Sequence, residues 1–143
     1  ITEFHKIKLI LPLHPRTSKM MSTLLRDDLK EKIEKSNFIS IVPPASFLDI
    51  LALEKNAKII ITDSGGLQKE AYFFKKPCVI LRPQTEWVEI VETGSAVITD
   101  ANESAIIEAV NSFFSGKSLK FPPVFGDGHA AEFMAQEILN QLK

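Results

Sequence analysis

The sequence predicts an α/β domain built on a doubly wound parallel sheet, and three observations carry that reading. Short aliphatic or β-branched runs alternate with amphipathic stretches of about ten residues or more, the pattern of successive βα units. Most of the short runs are continuously apolar, as parallel strands covered on both faces require. All eight prolines fall at the proposed boundaries between runs and amphipathic stretches, where a missing N–H does no harm.

The elements follow in chain order. The opening ITEFHK reads as the tail of a helix that feeds directly into a strand over residues 8–13. An amphipathic stretch over 18–35 predicts a helix, and the run 38–42, closed by Pro43 and Pro44, predicts the second strand. Ser46 precedes Asp49 by three, a capping-box spacing that opens a helix to residue 56. A third strand over 58–62 runs into a helix over 66–75. The fourth strand, 78–81, lies between Pro77 and Pro83 and is followed by a helix over 86–92. The fifth strand, 96–98, precedes a helix over 102–115 that Asn102 can cap, and Asp127 can cap a last helix over 129–142. A doubly wound sheet rarely starts in mid-helix and residue 1 is isoleucine, so the chain is expected to be a fragment.

Composition narrows the function. The chain has 143 residues, 45% of them hydrophobic and 24% charged, enough for one soluble domain with a core. Seventeen Lys and Arg stand against 18 Asp and Glu, so there is no basic surplus for a nucleic acid or an anionic membrane, and any phosphate site must be local. Cys78 is the single cysteine, which excludes an internal disulfide; it reads as a buried spectator thiol in a reducing compartment. No apolar run approaches the ~18 residues of a membrane helix and the N-terminus lacks a signal-peptide pattern, so a cytoplasmic location is expected.

The chemistry concentrates in IIITDSGGLQKEA, residues 59–71. In an open parallel sheet, ligands bind beyond the carboxyl ends of the strands, where Asp63, Ser64, Gly65 and Gly66 fall. Two glycines opening a helix leave N–H groups bare and admit close approach, so an anion can dock on the positive end of the helix dipole. Ser64 adds a hydroxyl, and Glu70, four residues after Gly66, can accept hydrogen bonds from vicinal hydroxyls such as those of a ribose. Phosphate and sugar together describe a nucleotide; the same turn without a ligand is the structural alternative. Asp63 is either a carboxylate at the site or a brace that accepts backbone N–H bonds.

Four segments in order, TDSGGLQKEA at 62–71, KKPCVILR at 75–82, QTEWVEIVETG at 84–94 and FGDGHAAE at 125–132, resemble the C-terminal domain of the non-hydrolysing UDP-N-acetylglucosamine 2-epimerases. LPLHPRT at 11–17 is similar to a shortened form of a further segment of that family. The resemblance implies two Rossmann-like domains in a glycosyltransferase B arrangement with the nucleotide sugar between them, this chain being the UDP-binding half. It implies that the N-terminal domain and the first strand of this domain lie outside the chain, and that the intact enzyme is a homodimer.

Carried over residue by residue, the resemblance gives Ser64, Gly65 and Gly66 to the diphosphate and Glu70 to the ribose. Phe47 and Ile50 become candidates for the uracil, or else core residues of their helix. Arg82 either meets the diphosphate or braces its loop through Glu86 or Glu89, and Glu86, at the same ligand edge, is itself a possible substrate or regulatory contact. His14 is a candidate for a second, regulatory nucleotide-sugar contact or satisfies a backbone carbonyl; His5 and His129 read as solvent-exposed. At Trp87 the chain has Trp-Val where many members have Arg-Pro, and the TEWVE form resembles the branch acting on modified sugars; Trp87 is either a specificity position or a core anchor. The implied reaction inverts carbon 2 by anti elimination of UDP and syn re-addition to the glycal, with no nicotinamide cofactor and no obligatory metal, its acid and base carboxylates coming from the absent domain. Two other readings stay open: the donor-binding domain of a glycosyltransferase of the same architecture, and a UDP-sugar binding or regulatory module without catalysis.

Overall fold

The computed structural model describes residues 1–116 and 118–142, and the chain divides into two compact units, Ile1–Asn56 and Ala57–Lys143. The first unit runs α1 (Thr2–His5), β1 (Leu9–Pro12), α2 (Pro15–Leu24), α3 (Asp27–Glu34), β2 (Ile39–Val42) and α4 (Phe47–Asn56). The second runs β3 (Ile60–Thr62), α5 (Gly65–Phe73), β4 (Cys78–Ile80), α6 (Val88–Glu92), β5 (Ala96–Ile98), α7 (Glu103–Phe114) and α8 (Ala130–Gln141). All five expected strands are present and every pairing is parallel. They hydrogen-bond as two sheets, β1-β2 and β3-β4-β5, instead of one.

In the first unit, Leu9 lies opposite Ile39 and Pro12 opposite Val42. The register puts Ile10 and Ile41 on opposite faces of this ribbon, and they are 47% and 45% exposed, so here the expectation of strands covered on both faces fails. The helix expected over 18–35 is two helices. It starts at Pro15, whose fixed φ suits the first helical position, and breaks at Leu25 and Arg26, both extended. Asp27 and Asp28 favour a helix N-terminus, where carboxylates meet the positive end of the dipole, and the chain restarts there. The capping box at α4 forms: the Ser46 hydroxyl donates to Asp49 Oδ2 at 2.6 Å and accepts the Asp49 N–H at 3.3 Å.

The core of the second unit is built around β4, whose three residues are buried on both faces. Cys78 and Ile80 pack on one face with Ile60, Ala71, Tyr72, Ile90 and Ala96. Val79 packs on the other with Ala109 and Val110 of α7. Alternation along the strand thus recruits α5 and α6 to one side and α7 to the other, and each fully buried aliphatic side chain contributes about 1.5–3 kcal/mol. α5 ends in a Schellman turn with Lys75 at φ 55°, its N–H bonded to Tyr72 O and that of Lys76 to Ala71 O. Asn102 caps α7 by accepting the Ala105 N–H at 2.9 Å, as its position predicts. At α8 the N-cap is His129, not Asp127; Asp127 Oδ1 instead accepts the His129 N–H at 3.0 Å, fixing the turn before the helix. α8 leaves Phe133, Met134, Ile138 and Leu139 exposed, and among the described residues no helix is long and apolar enough to cross a membrane.

One side chain ties the distant 121–125 segment to this core. Tyr72, 5% exposed, donates its hydroxyl to the Pro122 carbonyl at 2.5 Å and meets Phe121 and Phe125 with ring centroids 5.4 and 5.6 Å apart. Tyr72→Phe keeps the ring contacts and strands a part-buried carbonyl. We expect a loss of about 1–2 kcal/mol in urea unfolding, with amide exchange quickening across residues 121–126.

Candidate functional site

The junction between β3 and α5 is organised from the backbone outward. Ser64 is the N-cap of α5 in extended conformation and Gly65 is its first helical residue, one earlier than the sequence pattern suggests. The Ser64 N–H donates to Thr62 Oγ1 at 3.0 Å, so the buried Thr62 fixes the turn. That is the bracing role considered for Asp63, whose carboxylate is exposed and takes no part in it. The Ser64 hydroxyl makes no capping bond, and the first intrahelical bond runs from the Gln68 N–H to Ser64 O at 3.2 Å. The N–H groups of Gly65, Gly66 and Leu67 therefore stand at the positive end of the helix without a side-chain cap.

The two glycines differ in what demands them. A Cβ at Gly65 would lie 1.9 Å from Glu86 Oε1, the far end of a part-exposed side chain, so a side chain there requires Glu86 to swing aside. A Cβ at Gly66 would meet nothing nearer than Ser64 Oγ at 3.8 Å, and Gly66 has no positive φ. Neither packing nor backbone conformation requires glycine at 66; what its missing side chain does is leave the helix end open. Glu70, one turn deeper on α5, is half-buried.

The loop after β4 closes over this turn. The Trp87 indole N–H donates to Gly65 O at 2.8 Å, the Thr85 hydroxyl donates to Gln68 Oε1 at 2.6 Å, and the Trp87 N–H donates to Thr85 Oγ1 at 3.0 Å. Trp87 also packs edge-on against Phe125, and the Lys69 ammonium sits 4.4 Å from the Trp87 ring centroid and 4.6 Å from that of Phe125. These contacts fit Trp87 as an anchor for the turn. Arg82 Nη1 pairs with Glu86 Oε2 at 3.0 Å, both side chains remaining part-exposed, which is the loop brace weighed for Arg82.

The structure thus brings together Ser64, Gly65, Gly66, Arg82, Glu86 and Trp87 in the second unit. Phe47, Ile50 and His14 belong to the first unit. Phe47 is 67% exposed at the start of α4, so a core role does not account for it; Ile50, deeper in the helix, is half-buried. His14 caps α2, its Nδ1 accepting the Arg16 N–H at 3.3 Å, so it satisfies a backbone N–H where a carbonyl was the sequence alternative. Sequence reasoning missed Gln68, which is wholly buried, together with Lys69, and assigned no partner to Thr85. No local pattern marks them, because their partners lie across the α5–loop seam. Among the described residues no group of three or more His, Cys, Asp or Glu could hold a metal ion.

Comparison with known proteins follows the same lines. The family model for UDP-N-acetylglucosamine 2-epimerase matches residues 1–139. A UDP-N-acetylglucosamine 2-epimerase homolog of Methanococcus maripaludis is 40% identical over 93% of this chain and 36% of its own length. A UDP-2,3-diacetamido-2,3-dideoxy-D-glucuronate 2-epimerase of Pseudomonas aeruginosa is 37% identical over 89% of this chain and 33% of its own. The crystal structure of Methanocaldococcus jannaschii UDP-GlcNAc 2-epimerase in complex with UDP-GlcNAc and UDP superimposes with a TM-score of 0.78 at 36% identity, over 97% of this chain and 37% of that one. The chain spans about a third of the length of these relatives. With a match that runs almost from end to end, this α/β chain belongs to the UDP-N-acetylglucosamine 2-epimerase family.

Proposed function

We propose that this chain is the UDP-binding half of a UDP-N-acetylglucosamine 2-epimerase, or of a related UDP-sugar 2-epimerase, and that the rest of the protein supplies the other wall of the cleft. The observation that carries the reading is the uncapped start of α5 with a glycine at 66 that nothing in the fold demands. The bare N–H groups and the Ser64 hydroxyl would hold the diphosphate, Glu70 would accept the ribose hydroxyls, and Phe47 and Ile50 would meet the uracil. The M. jannaschii relative, seen with UDP-GlcNAc and UDP, supports nucleotide binding by this family.

The division of labour follows from the chemistry. Elimination across carbons 1 and 2 needs a carboxylate base beside carbon 2 and a positive environment that keeps the departing UDP bound until it re-adds. The α5 turn and Arg82 supply the second requirement. We place the acid and base carboxylates, and the first strand of this domain, in a segment before residue 1. The share of the relatives' length that this chain covers supports that placement. We further expect the intact protein to be a cytoplasmic homodimer. The P. aeruginosa relative bears the name of an epimerase for a diacetamido uronic acid, which supports a modified sugar as an alternative substrate. We read Trp87 as holding the turn, leaving the choice of sugar to the other half.

These roles make separable predictions. On titration with UDP, amide shifts should centre on Ser64 to Leu67 and Glu70, and Glu70→Ala should weaken binding by about 1.5–3 kcal/mol; unchanged affinity would remove Glu70 from the site. Gly66→Ala should leave stability unchanged or raise it by up to about 0.5–1 kcal/mol, since alanine is the better helix former, while UDP affinity falls. A loss of stability with unaltered UDP binding would make Gly66 structural. The 143-residue chain alone should bind UDP with a dissociation constant of roughly 0.1–10 mM, because only one wall of the cleft is present. It should not exchange the carbon-2 hydrogen of UDP-sugars in heavy water. Exchange that depends on this chain, followed by proton NMR, would place the base within residues 1–143, with Asp63 the first to test.

A further inference from the structure

Glu86 occupies an unusual place for a part-exposed carboxylate. Its Oε2 pairs with Arg82 Nη1 at 3.0 Å, while its Oε1 stands where a side chain on Gly65 would begin. Gly65 is the first residue of α5, whose leading N–H groups have no side-chain cap and whose dipole attracts negative charge. One carboxylate thus pairs with the guanidinium and lies beside the first residue of the helix. An ordinary loop brace needs the first contact only. The second places a negative charge beside the uncapped start of the helix. The seam beneath it is short of an acceptor: Gln68, wholly buried and joined to this loop through Thr85, leaves its Nε2 without a hydrogen-bond partner.

We propose that Glu86 is the site's resident counter-anion, a positioning residue that holds Arg82 and the helix end in the empty state and is displaced when a diphosphate binds. The role rests on the diphosphate reading of the α5 turn and adds its regulation. Displacement moves the Arg82 guanidinium from one carboxylate to the phosphoryl oxygens, so the site exchanges one charge pair for another and never exposes an unpaired arginine. It also makes binding selective for strong anions, because a neutral or weakly charged ligand does not compete with a carboxylate already in contact.

The test uses the full chain with two probes, UDP and inorganic pyrophosphate, titrated into the wild type, Glu86→Gln and Arg82→Gln. Glu86→Gln should bind both probes about two- to fivefold tighter, the range that part-exposed charge pairs reach, while its thermal midpoint falls because the Arg82 pair is lost. Arg82→Gln should bind both more weakly. A merely structural Glu86 would lower stability and affinity together, so equal or weaker binding by Glu86→Gln overturns the proposal. Should that variant fail to fold, the wild type still decides. Saturation with pyrophosphate should shift the Arg82 Nε–H and Glu86 carboxylate NMR signals together, and an unmoved Glu86 signal overturns the proposal. Pyrophosphate binding that depends on Glu86, with UDP no tighter than pyrophosphate, would sink the nucleotide reading and leave the role of Glu86 standing. UDP binding at Ser64 to Glu70 that is indifferent to Glu86 would do the reverse.

Discussion

The second unit depends on the burial of a three-residue strand. Cys78, Val79 and Ile80 are at most 1% exposed, so both faces of β4 must be roofed by helices before the sheet has a dry interior. α5 and α6 roof one face and α7 the other, and the direction in which each chain segment leaves the sheet follows from that. Because β3 and β4 are parallel neighbours, their carboxyl ends lie at the same edge. The segments that follow them, 63–66 and 81–87, therefore meet. The candidate site exists because a parallel pair delivers two loops to one place, as open α/β sheets do generally.

What those loops do once they meet is set by a few polar bonds across a mostly apolar seam. Trp87 caps Gly65 O, Thr85 holds Gln68, and Arg82 holds Glu86, so the turn that opens α5 is gripped from above by one short segment. Lys69 between the Trp87 and Phe125 rings, and Tyr72 bonded to Pro122, extend the grip to the 121–125 segment. A helix N-terminus that must present bare N–H groups to an anion gains from being held still, because preorganised donors need no reordering when the ligand arrives. The same seam explains why the two glycines are not equivalent: one lies against the Glu86 side chain and the other has only Ser64 Oγ near it, at 3.8 Å.

The order of elements was legible before any coordinates, for a physical reason. Apolar periodicity, proline punctuation and capping residues act within a few positions, and Ser46 with Asp49, Asn102, and all five strand positions followed from them. The misreadings were also local. Continuous amphipathicity hid the break at Leu25 and Arg26, where the competing signal was the acidic pair behind it, and Asp127 proved to brace the turn before the cap. Covered strands were expected throughout because an apolar run reports the surroundings that the strand is suited to; β1 and β2 carry such runs and still expose Ile10 and Ile41.

By itself, then, the sequence determined the α/β class, the parallel pairing and the location of the strand-to-helix turn at Ser64, Gly65 and Gly66, because each rests on residue type and spacing along the chain. Tertiary structure alone decided the rest. That a side chain at 65 would meet Glu86 while one at 66 would not, that Trp87 grips the turn through its indole N–H, and that Glu86 lies beside Gly65 while holding Arg82, all depend on where β4 aims the loop that follows it. The partners in those contacts lie 21 and 22 residues apart in the chain, or four apart across a loop whose path is not helical. No periodicity links them; they come together only when both faces of β4 are buried and its carboxyl end is brought beside that of β3.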